Sequence, residues 1–152
     1  MDIIKDNAAN LDGLGQMKAL LTAGIQPPIA VTMGFALVEI EPGLAVFEGE
    51  PGHSVFNPIG SVHGGYAATL LDSACGCAVH SRLAATQGYT TLELKVMYHR
   101  PLGDMSGRVR AEGRLLSFGR RAAFAEGKLL DAQGRLCASA TSTLLVFDRP
   151  PA

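Results

Sequence analysis

The chain has 152 residues, 47% of them apolar, and a net charge of −1. That length supports one ordinary hydrophobic core and not two comfortable domains, and a near-neutral balance argues against nucleic-acid binding as the main task. The first residues lack the basic start and apolar run of a secretory signal, and no run of about 18 uncharged apolar residues follows, so no membrane partner is expected and the cytoplasm is the expected compartment. Cys75, Cys77 and Cys137 are an odd number set in apolar surroundings, which suits reduced thiols better than a disulfide framework. Charge is uneven along the chain: residues 1–81 carry two Lys against eight acids, and residues 82–152 carry eleven Lys or Arg against six acids.

Leu11, Leu14, Met17 and Leu21 recur at helical spacing and Gly24 is placed as a stop, which predicts a helix over about 11–23. We read residues 1–28 as an N-terminal helical extension and 29–148 as the domain proper. The β-branched stretch 29–40 and the segment 44–48, separated by Glu41-Pro42-Gly43, read as two strands and a turn. A loop with Pro51-Gly52-His53 and Asn57-Pro58-Ile59-Gly60 follows. Residues 64–84 are apolar nearly all round and rich in Ala and Leu, the pattern of a buried helix. The period then changes to two: Arg108, Arg110, Glu112 and Arg114 alternate with Val109, Ala111, Gly113 and Leu115. The same alternation over about 90–98, 121–130 and 135–147 predicts an antiparallel meander with one wet face and one covered by the helix. The fold class is therefore α+β, a curved antiparallel sheet wrapped around one central helix.

Asp72 does not fit its surroundings. It is the single acid between Glu50 and Glu93, and no Lys or Arg lies between Lys18 and Arg82. An acid in the middle of a buried helix costs stability unless it is hydrogen-bonded, paired or kept for function. Its helical neighbours Ala68, Thr69, Cys75 and Gly76 are small and leave room for a ligand. A structural carboxylate paired with Arg82 or Arg100 is the competing reading. Gly64 and Gly65 open the helix, where N–H groups lack intrahelical partners and the dipole favours negative charge. Such a turn suits a polarised carbonyl oxygen.

Asn57, His63-Gly64-Gly65, Asp72 within Ala68-Thr69-Leu70-Leu71-Asp72-Ser73-Ala74, and Thr90-Thr91-Leu92-Glu93-Leu94-Lys95-Val96 together resemble the hotdog-fold thioesterases of the phenylacetic-acid-degradation type. The resemblance spans residues 30–147. It implies that Asp72 acts as general base or nucleophile on a thioester carbonyl, that the Gly64 amide polarises the carbonyl oxygen, and that His63 orients the substrate or leaving sulfur. It further implies that Asn57 holds the attacking water and that a hydroxyl on the next strand, Thr91 in preference to Thr90, completes the site with Gly65. Two protomers would place their sheets edge to edge, as a homodimer or a dimer of dimers, so that one supplies the loop and the other the acid. Arg120 and Arg121, after Gly119, become candidates for coenzyme A phosphate contacts.

The expected activity is hydrolysis of an acyl-CoA thioester, aryl or medium to long chain, with coenzyme A as part of the substrate and no separate cofactor. No metal is expected, because Cys75 and Cys77 lie two apart on a helix and point to different faces. One rival is a non-catalytic acyl-CoA-binding or sensing domain of the same fold. The other is an enoyl-CoA hydratase, whose motif Asn57-Pro58-Ile59 resembles in part, although Gly60 stands where that family places its histidine.

Overall fold

Alternation of burial along β4 (Val109–Phe118) as far as Leu115, where the register shifts, and along the whole of β5 (Ala122–Leu130) sends one side of each strand into a core and the other to water. In the computed structural model, which describes residues 2–149, these strands lie inside one six-stranded antiparallel sheet of order β1-β2-β4-β5-β6-β3. The remaining strands are β1 (Phe35–Glu41), β2 (Leu44–Gly49), β3 (Gln87–Tyr98) and β6 (Leu136–Asp148). Three short helices precede the sheet, α1 (Ile3–Ala8), α2 (Gly13–Ala23) and α3 (Pro28–Met33), and the long helix α4 (Gly64–His80) lies between β2 and β3 in the chain. The sheet wraps α4, whose Leu70, Leu71, Ala74, Cys75, Ala78 and Val79 are fully buried. This is the α+β hotdog architecture.

The helix approaches the sheet closely because the strand beneath it is stripped of side chains. A Cβ on Gly113 of β4 would overlap the backbone carbonyl of Ala74, and one on Gly127 of β5 would press on Leu71 at 3.0 Å and Cys75 at 3.2 Å. On α4 itself, Gly76 leaves the space that the Tyr89 ring fills, with the phenol oxygen 2.6 Å from where a Cβ would stand. Glycine here trades strand propensity for backbone approach.

Two expectations are corrected. Residues 29–40 are not one strand: Pro28 opens α3, the left-handed Gly34 (φ 70°) ends it, and only Phe35–Glu41 is extended. The β-branched run Ile29, Val31, Thr32 looked like strand, but Pro at the first helical position and Gly after the last are the stronger local signals. Nor is the sheet a simple meander. After α4 the chain returns at β3 to the far edge beside β6, and β4, β5 and β6 fill the space between. Helix α4 is also shorter than expected, ending at His80 with Ser81 as its cap.

Helix α2 begins where Asp12 caps Gly15 N–H at 2.8 Å and ends at the left-handed Gly24. It packs Met17 and Leu20 into the same core as the sheet. Its Gln16 side chain meets His80 at 2.8 Å, both buried, so α2 is latched to the C-terminal end of α4. No helix among the described residues is long and apolar enough to cross a membrane.

Candidate active site

Helix α4 holds the candidate groups at two levels. At its start, His63 is the N-cap: its Nδ1 accepts the Gly65 N–H at 2.8 Å. That bond places the proton of the neutral ring on Nε2, which is then a donor facing outward. It also corrects the expectation of two free amides, since Gly65 N–H is engaged and Gly64 N–H alone has no partner among the described residues. Tyr98, at the end of β3, donates its hydroxyl to the Gly64 carbonyl at 2.8 Å and packs its ring against the Gly64 Cα. Sequence reasoning missed Tyr98. Its signal was the period of two along Leu94, Val96 and Tyr98, which puts all three on the helix side.

Two turns further along, Asp72 is half-buried and Oδ1 accepts the Thr91 hydroxyl at 3.0 Å. Neither Arg82 nor Arg100 pairs with it. Thr91 faces the helix while Thr90 faces solvent, so the structure brings the former and not the latter to the acid. The carboxylate also acts on its surroundings. The Cys75 and Cys77 thiols are pushed up to about 12, first by desolvation and then by the negative charge of Asp72. Both are therefore thiols and not thiolates at neutral pH, and neither is a nucleophile.

Two clefts flank the helix start. One of about 290 Å³ is lined by His63, Gly64, Tyr98, His99, Arg100 and Cys137, among others. The second, about 510 Å³, lies on the opposite side against Met33, Phe56, His63, Gly65, Tyr66 and Thr69. Tyr66 is buried with its hydroxyl unpartnered, and desolvation pushes that phenol up to about 12. The floor of this second cleft is thus mainly apolar and uncharged.

Asn57 serves its own loop. Its carbonyl accepts from Ile59 N–H at 3.1 Å and Ser61 N–H at 3.2 Å, and its amide donates to the Ser61 hydroxyl at 2.9 Å. The loop so closed leads straight into Val62 and His63, whose N–H bonds Val55 at 2.8 Å. Arg120 and Arg121 are exposed and line a separate cleft of about 450 Å³ with Gln87 and Asp148, near the beginning of β3 and far from Gly64. Among the described residues no group of three or more His, Cys, Asp or Glu side chains is placed to hold a metal.

The thioesterase superfamily profile matches residues 59–138, just over half of the chain and the part that runs from the loop before His63 to the first residues of β6. The proofreading thioesterase EntH of Klebsiella pneumoniae is 30% identical over 119 residues, covering 78% of this chain and 85% of that protein. Among solved structures, a mutant of the phenylacetic acid degradation protein PaaI from Thermus thermophilus superposes with a TM-score of 0.71 at 30% identity, over 78% of this chain and 98% of that one. A thioesterase from Haemophilus influenzae shares the fold at a TM-score of 0.77 and 19% identity, over 86% of this chain and 90% of that one. The chain belongs to the thioesterase superfamily, as a hotdog-fold thioester hydrolase of the phenylacetic-acid-degradation type.

Proposed function

We propose that the protein hydrolyses acyl-CoA thioesters with Asp72 as the catalytic carboxylate and the Gly64 N–H as the oxyanion donor. The hydrogen bond from Thr91 to Asp72 carries this reading: it holds an otherwise unpaired acid at one orientation, with Oδ2 free for a water or a carbonyl carbon. The Gly64 amide stands at the positive end of a helix of 17 residues, where developing negative charge is favoured. His63, with its Nε2–H outward, is suited to donate to the leaving sulfur. Asn57 keeps the His63 turn in place through its loop. Thioester, water and protein groups suffice for the reaction, with coenzyme A bound as part of the substrate.

One protomer does not complete this arrangement. Gly64 and Asp72 are eight residues apart on a straight helix, a separation of about 12 Å. A base and an oxyanion donor must each lie about 3 Å from atoms of the same tetrahedral centre. The two groups therefore serve different thioesters, and each site takes Asp72 from one protomer and Gly64 from another. Strand β3 is a free edge of 12 residues bonded on one side to β6, and such an edge invites a second strand. An edge-to-edge dimer in the cytoplasm, with Arg120 and Arg121 receiving coenzyme A phosphates, completes the reading.

The test is free-thiol release from aryl- and straight-chain acyl-CoA esters by the wild type, Asp72→Ala and Asp72→Asn. A fall in turnover of about 10²- to 10⁴-fold in both variants, with fold and oligomer intact, is the expected outcome. Bound but unhydrolysed acyl-CoA across the panel for the wild type would instead make this a sensing domain. Label from heavy-isotope water entering the Asp72 carboxylate in a single turnover distinguishes direct attack from base catalysis.

A further inference from the structure

Gly64 and Gly65 open α4 side by side, yet neither adopts a positive φ. Conformational freedom does not explain the pair, but space does. A Cβ on Gly64 would stand 3.0 Å from the Tyr98 phenol oxygen and 3.1 to 3.2 Å from the ring carbons next to it, and a Cβ on Gly65 would stand 2.9 Å from His63 Nδ1. Each bare residue lets one side chain reach the peptide between them. Tyr98 donates its hydroxyl to the carbonyl of that peptide at 2.8 Å, and the N–H of the same peptide donates to His63 Nδ1 at 2.8 Å.

The helix does not require the Tyr98 bond. Only the last four carbonyls of an α-helix lack intrahelical partners, and Gly64 is the first residue of α4. Nor is Tyr98 a core residue, since it is 57% exposed. Its backbone is nonetheless fixed by β6: Tyr98 pairs with Ala138, and the N–H groups of His99 and Arg100 both bond the Cys137 carbonyl, at 2.8 and 3.1 Å. A phenol held at a firm strand end and bonded to a carbonyl that has a partner already exerts its effect on the rest of that peptide.

The Gly64 carbonyl and the Gly65 N–H are the two ends of one planar, resonance-linked group. A donor at the oxygen draws electron density from the nitrogen and makes the N–H a stronger donor, so the bonds of such a chain reinforce one another. We propose that Tyr98 is a positioning residue for thioester hydrolysis, acting on His63 through the Gly64–Gly65 peptide so that Nδ1 stays an acceptor and Nε2 keeps the proton. In that tautomer Nε2–H can hydrogen-bond the sulfur as negative charge gathers on it; in the other, a bare Nε2 lone pair would face the sulfur and oppose its departure. The ring keeps its proton throughout and donates only a hydrogen bond. Thr69 provides the contrast: its hydroxyl bonds the Gly65 carbonyl at 2.8 Å, but the N–H of that next peptide, on Tyr66, bonds the His63 carbonyl at 3.0 Å and not the imidazole. This inference rests on the reading of His63 as donor to the leaving sulfur.

Tyr98→Phe removes the hydroxyl and keeps the ring. In the full chain, kcat for an acyl-CoA ester should fall about 3- to 10-fold, the loss of one hydrogen bond, with KM unchanged. Without substrate, nitrogen NMR of isotope-labelled protein should show the His63 ring signals, assigned by their absence in His63→Gln, moving from the Nε2–H pattern towards averaged values, and the Gly65 amide proton moving upfield. Thr69→Val should leave the ring signals in place. Ring signals that do not move in Tyr98→Phe, an unchanged kcat, or an equal shift in Thr69→Val would each overturn the proposal. Denaturant melts separate a folding defect: Tyr98→Phe should melt close to the wild type, and a loss as large as that of Tyr98→Ala would make Tyr98 a packing residue instead. The ring signals are read without turnover and the Asp72 variants report on hydrolysis, so a failed relay and a failed hydrolase reading are told apart.

Discussion

The Thr91 hydroxyl gives Asp72 its one hydrogen bond from a side chain, and the loss of a bond to a charged acceptor is worth about 1.5–3 kcal/mol. Because both groups are half-buried and water can replace the bond in the resting protein, the loss should appear mainly in the transition state. Thr91→Val should lower kcat about tenfold or more with KM little changed, and steady-state kinetics at an unchanged kcat would remove Thr91 from the site. Buried His80 tells a different residue-scale story. Burial first, and the positive charge of Arg149 second, lower its imidazole from 6.5 to about 4. The unfolded chain therefore binds a proton between those two values that the folded chain refuses. Stability is full above pH 6.5 and falls as pH drops towards 4, by about 3 kcal/mol at most. Denaturant melts at pH 7 and pH 4.5 should show His80→Gln losing much less of its stability than the wild type over that interval.

Among the elements, α4 decides the most, since it must lie close to the sheet and still present both ends of its chemistry. Gly113 has no space for a side chain against Ala74, and the obstacle is backbone, which cannot rotate away. Gly113→Ala should therefore destabilise the protein by about 3 kcal/mol or more, whereas Gly52→Ala, with open space around it, should be near neutral. Chemical denaturation of the two variants side by side checks this. Helix α3 shows why the sequence misled at the element scale: its six residues are β-branched or apolar, and propensity pointed to strand. Its opening Pro28 and the Gly34 that follows it held the correct answer. The α2 segment was legible from its spacing and its Gly24 stop, while the Asp12 cap that sets its start was not read.

For the whole molecule, the proposed mechanism and the separation of Gly64 from Asp72 together require a second copy as a component of catalysis and not only of stability. Active-site complementation tests this. Gly64→Pro removes the N–H while placing proline at a first helical position; the extended backbone of His63 (ψ 136°) suits it, and the Tyr98 side chain, 3.0 to 3.2 Å from the added Cβ, has to shift to make room. Asp72→Ala and Gly64→Pro proteins should each be inactive alone. After subunit exchange, half of the dimers are mixed and each of these has one intact site, so roughly a quarter of wild-type activity should return. Activity that stays absent in verified mixed dimers would place both groups in one protomer's site.

Sequence by itself determined what is local. The period of two along Arg108–Leu115, the apolar helix after His63-Gly64-Gly65 and the isolation of Asp72 were all readable, because each depends on residues within a few positions of one another. Even the preference for Thr91 over Thr90 was open to it, though not secured, since a bulge at Leu92 shifts the facing of everything after it. Tertiary structure alone decided that Tyr98 stands against Gly64. It also decided that β3 crosses to the far edge beside β6. Periodicity tells which side of an element a residue occupies but not which strand will lie beside it, and that second choice is made by pairing over distances in the chain that no local pattern encodes.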